Sequence, residues 1–224
     1  MSQFHLNTQS TVCWNFPSNN FGQIFGIADS GVETFNGTPM KSLAREICQN
    51  SIDASLKNGQ PTRIEFVPFE INPNDIPDFI NLKDAFKRSL DFWSLQKSSK
   101  AKKFFENAIS TAEASKIMCL RISDFNTTGL TGSTDEYNSA WSNLTKSTGA
   151  SDKSGTNGGS FGIGKFAPYS CSNFRTVFYS TADETGVCAY QGVSRLTSFK
   201  NKDGEITQGT GFYGNDKNTP VPEQ

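Results

Sequence analysis

The chain has 224 residues, of which 35% are hydrophobic and 19% charged, with a formal net charge of -1. That length allows one large domain or two small ones, and the apolar fraction suits a folded, soluble protein over a disordered tail. Charge so near zero gives no support to a surface that grips nucleic acid, and no apolar run approaches the ~18 residues of a membrane helix.

Five cysteines (Cys13, Cys48, Cys119, Cys171 and Cys188) and one histidine, His5, complete the inventory. The cysteine number is odd and no C-x-x-C pair occurs, so neither structural zinc nor a disulfide framework is expected. The expected compartment is a reducing cytoplasm. Residues 1–10 lack the positive region and apolar core of a signal peptide.

Residues 1–38 are polar, with Trp14, Phe16, Phe21, Ile24 and Phe25 as scattered anchors, and read as an arm or a strand pair. From Pro39 the pattern sharpens. Leu43, Ile47, Ile52 and Leu56 recur at helical spacing, and Asn58-Gly59 is a stop, so a helix is expected over 39–58. A strand follows over 63–69. Residues 71–116 read as an insertion with its own helices, over 81–95 and 101–114. A short strand is expected over 117–122, then a long Gly, Ser, Thr and Asn stretch over 125–160, of the kind that forms functional lids. Further strands are expected at 174–179, at 187–196 and around Phe212. The sum is an α+β protein, a two-layer α/β sandwich with a mixed, mostly antiparallel sheet and helices on one face.

Three segments carry chemistry. On the expected helix, Glu46, Asn50 and Asp53 fall at i, i+4 and i+7 and share one face, with Leu43, Ile47 and Leu56 assigned to the opposite face. Glutamate orients and deprotonates water, and an asparagine buried in mid-helix would offer a neutral oxygen to magnesium. The plainer reading is a solvated polar face. Next, Asp124 follows an apolar strand and precedes Asn126 and Gly129, residues that tolerate positive φ. A carboxylate placed there accepts a hydrogen bond from the exocyclic amine of adenine; the competing reading is an ordinary Asx turn. Third, residues 158–169 read GGSFGIGKFAPY. Gly159, Gly162 and Gly164 leave amides exposed for phosphate oxygens at a helix start, and Lys165 stands where a cation reaches terminal phosphates. Phe166 follows the lysine, so this is no Walker A loop. No strand precedes the glycines, so the dinucleotide fingerprint does not fit either, although Asp183 falls near the right distance.

Taken in this order, the segments resemble the ATPase family named for gyrase B, the heat-shock chaperones, histidine kinases and MutL, with the chaperone, MutL and MORC side nearer than the sensor kinases. EICQNSIDA (46–54), DFNTTGL (124–130) and GSFGIG (159–164) match its first three motifs, and Thr210 in GTG (209–211) matches a fourth, weaker one. The resemblance implies a Bergerat-type ATP-binding fold over 39–224. Glu46 would be the general base, Asn50 the magnesium ligand and Asp53 a support of the phosphate side. Asp124 would take the adenine amine, with Asn126, Gly129 and Thr210 beside it. Gly159, Ser160, Phe161, Gly162, Ile163, Gly164 and Lys165 would cradle phosphates, with Lys165 also catalytic. Residues 131–158 would be a lid, mobile without nucleotide. Two departures stand out: Asn126 occupies a glycine position with an extra residue before Gly129, and 71–116 is inserted between the first two motifs.

The implied activity is slow, magnesium-dependent ATP hydrolysis coupled to lid closure and self-dimerisation. The chain is expected to be the N-terminal part of a larger protein, and the insertion offers a surface for a protein partner. The family's roles include DNA processing and bacterial anti-phage defence. The other readings are an ATP-binding switch without hydrolysis, a histidine-type protein kinase and a non-catalytic interaction module.

Overall fold

The computed structural model describes residues 11–148, 162–215 and 218–223. Of the segment read as an arm or a strand pair, residues 11–38 are described and are built into the fold. Its strand β1 (Cys13–Asn15) is too short to stand alone and pairs antiparallel with residues 212–214, burying Trp14. A single turn, α1 (Ser30–Glu33), is capped by Asp29, whose carboxylate accepts from the Gly31 N–H.

Helix α2 (Pro39–Asp53) starts with proline in its first turn, where the missing N–H is no loss. It stops short of the expected residue 58. The reason is competition for backbone groups. The Ala54 carbonyl accepts from Thr128, the Leu56 N–H donates to Asn126, and Ser55 bridges Thr127, so residues 54–56 leave the helix to join the loop at 126–128. Leu56 therefore lies beyond the helical stripe.

Strand β2 (Arg63–Ile71) pairs along its whole length with β3 (Ile117–Phe125) in an antiparallel two-stranded sheet. Between them lie α3 (Phe79–Leu95) and α4 (Ser99–Ala112), the latter capped by Ser98. These helices are more than a decoration. Phe79, Leu82, Phe86, Phe105 and Ala108 share a core cluster with Trp14, Ile27, Leu196 and Phe199, and Phe174 stacks on Phe86. Burying five such groups is worth several kcal/mol.

After a short helix α5 (Ala140–Thr145), a 3-10 turn at Gly164–Phe166 runs into α6 (Ala167–Ser170). Strands β4 (Thr176–Ala182), β5 (Cys188–Arg195), β6 (Thr210–Gly214) and β7 (Val221–Glu223) follow. The larger sheet runs β1-β6-β5-β4, with β7 also on β5. The protein is thus α+β, and every ladder among the described residues is antiparallel, where a mixed sheet was expected. The connections from β4 to β5 and from β5 to β6 are reversals, which favour that pairing. Helices α1, α2 and α6 pack with Val177, Tyr179, Val193 and Phe212. Side chains alternate along a strand, so Tyr213 and its partner Trp14 lie on the other face, where α3 approaches through Asp78. Helices therefore do not keep to one face. No helix among the described residues is long and apolar enough to cross a membrane.

Candidate functional site

Helix α2 is the hub to which the other candidate segments attach. Glu46 is half-buried, while Asn50 and Asp53 are exposed, so Asn50 is not the buried mid-helix residue expected. Gln49 donates to the Asp53 carboxylate at 2.9 Å. Nor do the apolar residues lie opposite. At about 100° per residue, Leu43 and Glu46 are only about 60° apart. The buried stripe of Leu43 and Ser51 runs beside the polar one, which leaves Glu46 at the boundary between core and solvent.

The glycine segment meets that boundary. Gly162 has φ +69, and Gly164 enters the 3-10 turn so close to Glu46 that a side chain there would collide with the carboxylate. Gly159, Ser160 and Phe161 lie outside the described residues, while Gly162, Ile163, Gly164 and Lys165 are placed on this turn. The expected helix is a 3-10 turn and one α-turn, so the segment offers individual amides and little of a long helix's dipole. Its position is fixed from below. Phe166 packs against Gly31 of α1, where a Cβ would overlap the ring, and Arg195 stacks over Phe166 at 4.5 Å.

Lys165 donates to the Asn143 carbonyl of α5 at 3.0 Å. Burial lowers its pKa from the ordinary lysine value, and the nearby Arg195 adds to the shift. The amine is thereby a poorly hydrated cation linking the glycine turn to the stretch expected as a lid. Residues 149–158 of that stretch lie outside the described residues, and the part up to 148 is better anchored than its composition suggested. Ser139 caps α5 in a reciprocal pair with Ser142, and Trp141 is 0% exposed, its indole N–H donating to Gln191. Tyr137, by contrast, is strongly exposed.

Asp124 lies within β3, across from Ile64, and not beyond the strand as expected. It is exposed, and its carboxylate makes no hydrogen bond or ion pair among the described residues. Asn126 has φ +61, the left-handed geometry that glycine adopts most freely. Its amide donates to the Gln60 carbonyl at 2.8 Å, and the Asn58 amide donates to it at 2.8 Å. The side chain thus staples the α2–β2 loop. Gly129, φ +67, packs against Thr181 to Asp183, where no Cβ fits. The Thr128 N–H donates to the Ala54 carbonyl at 2.9 Å, which ties the Asp124 loop to the end of α2 beside Asp53.

Thr210 stands apart. It opens β6 across from Arg195, at the end of the sheet where β4 begins, whereas Gly129 touches the end of β4. A strand of that length spans roughly 20 Å. Asp183 holds a turn through Thr185 and Val187, a structural duty unrelated to ribose.

Sequence reasoning missed the charged layer under the glycine turn. Arg195 pairs with Asp29 at 3.1 Å, and Arg175 donates to the Ile27 carbonyl at 2.8 Å and lies over Phe104 of α4. Tyr179 donates to Tyr169 at 3.3 Å, and burial holds both phenols above their ordinary pKa. Nothing local in the sequence marks these residues, because each gains its role from a distant partner.

Among the described residues no group of three or more His, Cys, Asp or Glu is placed to hold a metal. Asn50 and Glu46 supply oxygen donors on one helix face, a set suited to a hard cation that draws its other ligands from phosphate and water. A cleft of about 220 Å³ near Trp14, Asp84 and Arg88 contains none of the candidate residues. No family model matches the chain, and neither a curated protein nor a solved structure does.

Proposed function

We propose that this chain is a Bergerat-type module that binds ATP with magnesium and hydrolyses it slowly. The observation that carries the reading is the contact between Gly164 and the Glu46 carboxylate. Two segments far apart in sequence, one suited to activating water and one to holding phosphate, meet at one point. The same helix is tied at its end to the Asp124 loop.

In this reading the glycine amides and Lys165 hold the terminal phosphates and stabilise charge as it develops on them. Glu46 orients the attacking water and takes its proton. Asp124 accepts from the adenine amine, and Asn126 shapes the turn without crowding the base, since its side chain points to residues 58–61. Asn50 would hold magnesium, which supplies charge neutralisation at the phosphates when bound. Thr210 lies across from Arg195, at the opposite end of β4 from Gly129, and is given no role at the base. The module acts in the cytoplasm as part of an ATP-gated dimer, in a DNA-processing or anti-phage defence system.

Titration calorimetry with a non-hydrolysable ATP analogue and magnesium tests binding, and labelled ATP tests turnover. Glu46→Gln is expected to keep binding and to lose hydrolysis by about 10²-fold or more. Absence of binding at millimolar analogue would overturn the reading.

A further inference from the structure

Away from Glu46, one surface brings large apolar side chains into solvent beside lysines. The Asn19 side chain braces a tight turn: it accepts from the Phe21 N–H at 3.1 Å and donates to the carbonyls of Gly22 and Gln23 at 3.3 and 3.1 Å. The turn holds Asn20 and Phe21 at φ 50 and 60, a region that bulky side chains avoid. It leaves the Phe21 ring wholly exposed, with Ile24 58% and Phe25 47% exposed. Backbone strain that keeps a phenyl out of the core points to a use for that phenyl in solvent.

The same loop is fastened to the end of α3. The Phe25 N–H donates to Ser198 Oγ at 2.9 Å, the Ser198 N–H to the Phe25 carbonyl at 2.8 Å, and the Trp93 indole to the Ser198 carbonyl at 2.9 Å. Leu95, the last residue of α3, is 81% exposed, on the side of the helix away from the Trp93 indole. Lys97, Lys100, Lys102 and Lys103 follow, with no acidic residue among them. Lys100 pairs with Glu33 and Lys102 stands 3.8 Å from Glu106, while Lys97 and Lys103 form no ion pair among the described residues. The Glu33–Lys100 contact also holds the start of α4 near the segment that leaves the Phe21 loop.

We propose that the Phe21 turn and the lysine-rich end of the α3–α4 hairpin form one docking surface for an anionic lipid bilayer. Ile24 gains from hydrocarbon but has no face to stack on a nucleobase, so the apolar half of the surface suits lipid better than nucleic acid. Lysines are compact charges on flexible stems, matched to a diffuse headgroup field more than to bidentate recognition. Neither half is sufficient alone, since stable surface binding takes an apolar insertion and a polybasic attraction together.

Co-sedimentation of the chain with vesicles of phosphatidylcholine, and of phosphatidylcholine mixed with phosphatidylserine, reads the proposal. Binding is expected only to the anionic vesicles, weakening as salt rises. Phe21→Gly relieves the positive φ, so thermal stability is kept or raised while vesicle affinity falls about tenfold. Lys97→Glu with Lys103→Glu lowers affinity by at least about tenfold. Three results would overturn the proposal: binding to neither vesicle, equal binding to both, or variants that bind like the parent. Preference for a single-stranded oligonucleotide with no vesicle binding would transfer the surface to nucleic acid and overturn it equally.

Discussion

Replacing Gly164 with alanine separates the position of the Glu46 carboxylate from the stability of the fold. A Cβ built on Gly164 lies 2.6 Å from Glu46 Cδ and 3.2 Å from Cγ, and closer still to one oxygen. Something must move, and the carboxylate is the end of a flexible side chain. Turning it off its rotamer costs about 0.5–1.5 kcal/mol. Gly164 does not have positive φ, so alanine also returns about 0.5–1 kcal/mol of conformational entropy. The two effects nearly cancel, and urea unfolding is expected to shift by less than about 1 kcal/mol. Hydrolysis responds differently, because a misplacement of about 1 Å costs on the order of 10² in rate. Single-turnover ATP hydrolysis with protein in excess is the assay. The double variant Glu46→Gln with Gly164→Ala should lose nothing beyond Glu46→Gln alone, since both act on one group. Hydrolysis by Gly164→Ala at the parent rate, or losses that multiply in the double variant, would refute the reasoning.

Asp124→Asn should weaken binding of the ATP analogue by about 1.5–3 kcal/mol in calorimetry, as a charged acceptor becomes a neutral amide; an unchanged Kd would place the base elsewhere. At Asn126, glycine keeps the left-handed turn and loses only the staple to residues 58–61, whereas alanine loses the staple and strains the backbone by about 1–2 kcal/mol. Chemical denaturation should therefore rank parent, then Asn126→Gly, then Asn126→Ala. With Trp14 and Trp93 replaced by Phe, Trp141 should emit as a buried indole and resist quenching even without nucleotide, and Trp141→Ala should cost about 3–5 kcal/mol. A quencher-accessible Trp141 would contradict its place in the core. Tyr179, pushed up to about 12 by burial, is protonated in the folded state where the unfolded chain's phenol, ordinary value 10.0, has ionised. Its contribution is intact below pH 10 and is lost as pH rises towards 12, so stability should fall across that window and Tyr179→Phe should flatten the fall.

Helices and strands with long apolar stripes were readable because their periodicity is local. The stripe of Leu82, Phe86 and Leu90 announces α3 without reference to anything else in the chain, and Ile, Phe and Val mark β2. Boundaries were less so. β3 runs through Ser123, Asp124 and Phe125 because β2 supplies partners residue for residue up to Arg63, and α2 ends early because residues 54–56 pair with residues 126–128. A three-residue strand such as β1 has no signature, since its pairing with β6 is its only reason to exist.

For the candidate site, the sequence alone determined which residue types stand at which spacing: Glu46, Asn50 and Asp53 on one helical face, glycines interleaved with Phe and Ile before Lys165. Helical geometry makes that inference from neighbours in the chain. Tertiary structure decided what those residues touch. It set Gly164 against Glu46, turned the Asn126 side chain toward residues 58–61, drew Lys165 to Asn143, buried Trp141 against Gln191, and carried Thr210 to the far end of the sheet. Each of these depends on a partner far along the chain, brought near only when two core clusters close. No window of sequence contains both halves of such a contact.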